Sequence, residues 1–354
     1  MRIGIVTHNY SITREDKKNA GIFVADFASA LNKKMPVFIF QLHLPESALT
    51  PRHVFNPFSV VRLIDLLKKG TDDCARFVEE NKIDFLIAMW ALPAGLIAAH
   101  VKKKHTIPYA IWSLGSDINT YAHMPIIKNL VINALFNADV LFSNSRLVCQ
   151  KVEKLSHKSC HLLPAVTDFS TTNIKPKKLD PTKYHFLFVG RLEKIKGADL
   201  LIQAAQMLKK HKDTFMIHIL GDGRERARLE KMVQKFSIEE HVHFLGNVSR
   251  KTVVAYMLGS DALVITSRSE SLPLVFLEAM RAGLPIISTD VGDCKRLINK
   301  YNAGLLINGK DYKTIATSME KAIIKKPTVE SQYLPKYTME YAVNTFIKFI
   351  PSRP

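Results

Sequence analysis

Residues 266–289 read TSRSESLPLVFLEAMRAGLPIIST, and the fold follows from how that stretch divides. The apolar run Ala262 to Ile265 leads into it and reads as a buried parallel strand. A polar loop, Ser267 to Ser271, follows. Pro273 stands where a helix would begin, as first-turn prolines do. Leu274, Leu277 and Glu278 fall on neighbouring helical positions. Gly283 ends the helix, and Pro285 to Ser288 opens the next strand. Glu270 therefore lies on the loop at the carboxyl end of a strand, and Glu278 about two turns into the helix. Both can face the crevice above a parallel sheet, where α/β proteins bind ligands. Ionised carboxylates accept hydrogen bonds from hydroxyls, and free amides at a helix start receive anions. Carboxylate, amides and carboxylate in one span suit a phosphate-linked sugar. They equally describe an ordinary strand-loop-helix with two surface glutamates.

The chain has 354 residues, 47% of them apolar, enough for two α/β domains with substantial cores. Its net charge of +18 is spread over both halves. That balance suits phosphates, nucleic acid or an anionic membrane face without choosing among them. Cys74, Cys149, Cys160 and Cys294 show no C-x-x-C pairing and read as reduced thiols. Met1 to Val6 run straight into a strand, so no secretory signal is expected. Phe85 to Ala99 is broken by Pro93 and Gly95 and is too short to span a membrane. These features suggest a cytoplasmic protein.

Residues 2–7 form a first strand. A polar loop ending at Gly21 precedes a helix from Ile22 to about Lys33, and the glycine permits close approach of a ligand or simply a tight turn. Strands follow at 36–41, 85–90, 109–113, 140–143 and 161–164, with a helix starting near Pro93. An apolar-faced helix over 54–69 carries Arg62, Lys68 and Lys69. With Lys102, Lys103 and Lys104 it could form a basic surface for an anionic membrane, or a solvated face. Asp117, just past a strand, can meet a ligand or cap a turn. Residues 169–183 turn lysine- and proline-rich and read as a linker.

The second half alternates strands at 184–189, 214–220, 242–245, 262–265, 285–288 and 304–307 with helices, which implies a parallel sheet. Gly190, Arg191, Lys196 and Gly197 bound a strand-to-helix loop that presents two cations at the same sheet edge as Glu270. Gly221-Asp222-Gly223 makes another tight turn. Residues 338–349 form a terminal amphipathic helix expected to pack back on the first half. The domains are placed at 1–172 and 173–335, with 336–354 as that returning helix.

Together these motifs resemble the GT-B-fold retaining glycosyltransferases of the group 1 family, glycosyltransferase family 4. GRLEKIKG resembles the family's G-R-L-x-x-x-K-G, and LGDGRERARLE its G-D-G turn and helix. Glu270 and Glu278 match its E-x7-E, and EAMRAGLPIIST its E-A-M-A-x-G-x-P-V-I-x-T. AGIFVADFASAL, MWALPAG and LGSDIN match more loosely. The resemblance implies two Rossmann-like domains whose parallel sheets face across a cleft. It implies that Arg191 and Lys196 hold a donor diphosphate, that Glu278 binds ribose and that Glu270 binds the transferred sugar. Backbone from Leu272 through Leu274 to Val275 would face sugar and phosphate, and Asn247 and Val248 would line the base. Gly21 would approach the diphosphate from the first domain.

Three departures stand out. Leu114 occupies the place of the family's histidine, leaving Asp117 as the matching polar residue. Pro273 in Glu270-Ser271-Leu272-Pro273 removes one amide donor. The family's P-N-G-V-D appears only as Pro164-Ala165-Val166-Thr167-Asp168. The implied activity is transfer of a hexosyl-type sugar from a nucleoside diphosphate to a hydroxyl of a glycan or lipid-linked acceptor. No D-x-D motif occurs, so no metal and no cofactor beyond the donor substrate is expected. A nucleotide-sugar epimerase or an inactive nucleotide-sugar binder are the alternatives. No nucleic-acid module is visible.

Overall fold

The computed structural model describes residues 1–8, 21–42, 57–209, 214–329 and 334–351. The chain divides into two compact units. One comprises Met1–Thr167 with Lys336–Pro354, the other Asp168–Pro335.

The first unit carries β1 (Ile3–Thr7), β2 (Val37–Gln41), β3 (Phe85–Met89), β4 (Tyr109–Ser113), β5 (Val140–Ser143) and β6 (Cys160–Leu162). They form one parallel sheet in the order β2-β1-β3-β4-β5-β6. Every residue of β1, β3 and β4 is buried, whereas the edge strands β2 and β6 are half-buried. That difference is why the central strands read as unbroken apolar runs. The helices are α1 (Ile22–Asn32), α2 (Pro57–Asn81), α3 (Leu96–His105), α4 (Ser116–Asn119), α5 (Pro125–Asn137) and α6 (Arg146–Ser156).

One helix boundary differs from expectation. The helix expected over 54–69 runs from Pro57 to Asn81, straight through Gly70. That glycine serves packing rather than termination: a Cβ there would come within 2.8 Å of Leu42 and 3.1 Å of Ile97. Residues 54–56 and the Arg62 side chain lie outside what is described; of the expected basic face, Lys68, Lys69, Lys103 and Lys104 are exposed and Lys102 is half-buried. The helix expected near Pro93 does start there: Leu92 is extended, at φ −132° and ψ 141°, and a wide turn through Gly95 leads directly into the α-helix from Leu96.

The second unit holds β7 (Tyr184–Val189), β8 (Phe215–Leu220), β9 (Val242–Gly246), β10 (Ala262–Ile265), β11 (Ile286–Thr289) and β12 (Gly304–Ile307). Their order is β12-β11-β10-β7-β8-β9, again all parallel. The crossovers are α7 (Ala198–Leu208), α8 (Arg226–Phe236), α9 (Arg250–Gly259), α10 (Leu274–Ala282) and α11 (Cys294–Tyr301), and α12 (Tyr312–Ile324) follows β12. Phe186, Phe215, Ile217, Leu201 and Met319 are among the fully buried side chains of its core. Both units are Rossmann-like, as the GT-B resemblance implies.

The last helix, α13 (Met339–Phe349), belongs to the first unit. Phe346 is fully buried there, with ring centroids 5.7 Å from Phe27, 6.2 Å from Phe85 and 5.9 Å from Phe142. Phe349 stacks on His161 at 3.6 Å.

Candidate functional site

In the second unit the strand order reverses between β7 and β10, the topological switch point where open α/β sheets bind ligands. The loops leaving these two strands, 190–197 and 266–273, meet there. Lys196 Nζ donates to Glu270 Oε1 at 2.6 Å, and Ser267 Oγ donates to the same oxygen at 2.9 Å. This pair is largely sheltered, with side chains 25% and 14% exposed.

The loops are also joined through their backbones. Gly197 has φ +73°, and a Cβ on it would fall 2.0 Å from the Thr266 carbonyl oxygen. Thr266 Oγ1 donates to the Gly197 carbonyl at 2.9 Å, and the Arg268 amide to the Ile195 carbonyl at 2.8 Å. Arg268 forks onto Asp199 in the first turn of α7, with both Nη–Oδ distances at 2.8 Å. Burial would raise the Asp199 carboxyl, but the Arg268 hydrogen bonds and charge outweigh it and hold the group below its usual value. The Arg268 guanidinium is pushed up chiefly by the same bonds. Sequence reading missed this pair. Its signal, an acid two residues after the Gly197 turn and a base two before Glu270, is too common to single out.

Arg191 shares the Lys196 loop but points outward. It is 69% exposed and its Nη1 lies 2.8 Å from Glu193 Oε1. Gly190 and Gly221 contact each other: at φ +136°, Gly221 lets the Gly190 carbonyl approach to where a Cβ would sit 2.0 Å away. That approach within the protein by itself requires glycine at position 221. Just after β9, Asn247 is exposed and Val248 half-buried.

The start of α10 corrects the expected position of Pro273. It is the N-cap, at φ −62° and ψ 130°, one residue before the helix. Its carbonyl accepts the Phe276 amide at 3.0 Å, and no side chain caps the helix, so the Leu274 and Val275 amides open toward the loop end. Leu272 is buried, and Leu274 and Val275 are half-buried. Glu278, on the second turn, is half-buried and interacts with Arg281, whose guanidinium is pulled down by burial against the opposing pull of Glu278.

The remaining two expected site residues lie in the first unit. Gly21 is the left-handed N-cap of α1, at φ 86° and ψ 5°, and its carbonyl accepts the Val24 and Ala25 amides at 2.9 and 3.2 Å. Asp117, expected to meet a ligand or to cap a turn, is fully enclosed, at 0% exposed, and takes backbone amides instead. Oδ2 accepts the Ala91 amide at 2.9 Å, and Oδ1 accepts Gly115 at 3.0 Å and Ile118 at 3.2 Å. Burial pushes its carboxyl up against those bonds. It ties the loops after β3 and β4 together, and a carboxylate so enclosed has no face left for a substrate. At this unit's own switch point, between β1 and β3, the His8 and Trp90 rings lie 4.7 Å apart. Neither was singled out in the sequence, since each simply ends a strand. Among the described residues no group of three or more His, Cys, Asp or Glu could hold a metal ion.

Residues 169–337, which cover this whole β7–α12 assembly, match the family model "Glycosyl transferases group 1". The second unit is a group 1 glycosyl transferase domain. A D-inositol 3-phosphate glycosyltransferase of Pseudarthrobacter chlorophenolicus is 33% identical over 40% of this chain and 34% of its own length. An uncharacterised glycosyltransferase of Methanocaldococcus jannaschii is 29% identical over 69% of this chain and 65% of its own. The chain thus spans from a third to just under two thirds of these relatives. Among solved structures, HepE of Anabaena in complex with UDP superposes with a TM-score of 0.69 at 17% identity, covering 98% of each chain. The glycosyl transferase domain therefore carries Arg191, Lys196, Glu270 and Glu278, while Gly21 and Asp117 lie outside it.

Proposed function

We propose that the protein is a retaining glycosyltransferase. It moves a hexosyl-type sugar from a nucleoside-diphosphate donor to a hydroxyl of a glycan or lipid-linked acceptor. The observation that carries this reading is the Lys196–Glu270 pair at the switch point, on the loop that leads into the uncapped start of α10. A diphosphate offers oxygens to Lys196, Arg191 and the α10 amides, and a sugar offers hydroxyls to Glu270 once Lys196 turns to phosphate. The similarity to UDP-bound HepE supports a nucleotide donor.

In this mechanism the sugar becomes oxocarbenium-like while charge grows on the leaving diphosphate. Lys196 and Arg191 neutralise that charge, a preorganised electrostatic effect. These cations take the place of a divalent metal, and no cofactor besides the donor is used. Glu278 holds the ribose, and Asn247 and Val248 line the base. The leaving phosphate takes the acceptor proton, and the product keeps the donor's anomeric configuration. The protein works at the cytoplasmic face of a membrane, held there by its positive charge. No helix among the described residues is long and apolar enough to cross a membrane.

A panel of nucleotide sugars screened by thermal shift identifies the donor, because a ligand bound to the native state raises its melting point. Product analysis then decides the reaction. A sugar joined to an acceptor supports the proposal. An epimerised donor, or binding without turnover, overturns it. Flotation with neutral and anionic liposomes tests the membrane reading, and equal recovery from both would remove it.

A further inference from the structure

We propose that Arg268 and Asp199 are positioning residues that hold Lys196 and Glu270 in register without touching the donor themselves, an inference that rests on the donor reading of that pair. Arg268 stands two residues before Glu270, and Asp199 three after Lys196. Their fork of two 2.8 Å bonds joins the two loops through side chains. Along the backbone, the Arg268 amide holds the Ile195 carbonyl at 2.8 Å, and Thr266 Oγ1 holds the Gly197 carbonyl at 2.9 Å. Lys196 is therefore fixed on both sides by the loop that bears Glu270. Arg268 Nη1 also donates to the Lys194 carbonyl, so one guanidinium spans the loop and the helix that follows it.

The electrostatics assign the parts. The Arg268 charge is already matched by a bidentate carboxylate, which is itself buried and held ionised. A cation so neutralised is poorly suited to receive a diphosphate, whereas Lys196 has a single short bond to exchange. Forked geometry also fixes orientation in a way a lysine cannot reproduce. Misplacing catalytic groups by about 1 Å costs roughly 10² in rate, so a loosened clamp should be felt in turnover.

The test uses the full chain and the variants Asp199→Asn, Arg268→Lys, Arg268→Ala and the double Asp199→Asn/Arg268→Ala. Hydrogen exchange at 194–197 and 266–270 reads the loops without any substrate. Nucleotide release reads turnover and donor KM. Faster exchange in those loops with β7 and β10 unchanged, turnover lower by about 10², little change in KM, and a double variant no worse than its worse parent are expected. Arg268→Lys, which keeps charge but not the fork, should fall between wild type and Arg268→Ala. If Arg268→Ala does not fold, Asp199→Asn and Arg268→Lys still decide. A raised KM in Arg268→Ala with Asp199→Asn unaffected would mean that Arg268 binds the donor directly and overturns the proposal. So would additive losses, or a lowered melting point with turnover per folded molecule intact. Should wild type turn over no nucleotide sugar, the transferase reading falls and hydrogen exchange alone judges the clamp.

Discussion

Arg191 and Lys196 share one loop but differ in exposure, 69% against 25%, and that difference sets how each responds to removal. Arg191→Ala breaks an exposed pair with Glu193 and should change stability by about 0.5 kcal/mol or less. Lys196→Ala leaves the sheltered Glu270 carboxylate with the Ser267 hydroxyl but without its cation, so a cost of about 1–3 kcal/mol is expected. Both should lower turnover by about 10²–10³, because each removes charge that meets the growing diphosphate. Glu278→Ala should instead raise donor KM, as ribose contacts are alike in ground and transition states. Nucleotide release against donor concentration, with melting curves alongside, checks all three. The sequence exposed Lys196 and Glu270 because glycines and strand ends mark them. It could not expose their mutual pairing, which joins residues 74 positions apart. Nor could it tell that Asp117 is enclosed by three backbone amides, since burial depends on what the loop after β3 does.

At the scale of elements, the central strands are legible to within a residue because burial on both faces makes them uniformly apolar, whereas half-buried β6, expected at 161–164, runs Cys160–Leu162. Helix limits were less so, since Gly70 looks like a stop and is instead a contact surface for Leu42 and Ile97. Loop junctions depend on glycine in a way that can be measured. Gly197→Ala must force a Cβ to within 2.0 Å of the Thr266 carbonyl at a φ of +73°. A loss of more than about 1 kcal/mol is expected from the strained backbone alone, read as a lower denaturation midpoint. A second junction involves sulfur. Cys149 on α6 and Cys160 on β6 are free thiols with Sγ atoms 3.0 Å apart. Oxidised glutathione should convert them into one disulfide, the two thiols surrendering their hydrogens as glutathione is reduced. Hydrogen bonding to Cys149, then burial, pushes the Cys160 thiol up, so the reaction should quicken as pH rises. Peptide mapping under non-reducing conditions checks it, and Cys149→Ala should abolish the cross-link.

Over the whole molecule, the buried His218 and half-buried His8 should shape the response to acid. Burial lowers His8 and His218 from 6.5 to about 4. His218 faces His185 at 3.0 Å, with His243, Lys177 and Tyr256 around it, so a proton there meets positive neighbours. The unfolded chain binds more protons than the folded one between these values. Stability should therefore hold above about pH 6.5 and fall as pH drops toward 4, by up to about 1.4 kcal/mol per pH unit for each histidine. Urea midpoints at pH 7, 5.5 and 4.5 check the slope, and His218→Gln should flatten it.

The return of α13 to the first unit bears on how the chain is made. A ribosome delivers residues 168–335 before 336–354, so the second unit has its whole sequence in hand while the first still lacks its final helix. Until Phe346 arrives, Phe27, Phe85 and Phe142 have an unfilled place among them. The part synthesised first is thus the part completed last, and the nascent chain must shelter that aromatic gap for the time it takes to translate the entire domain between.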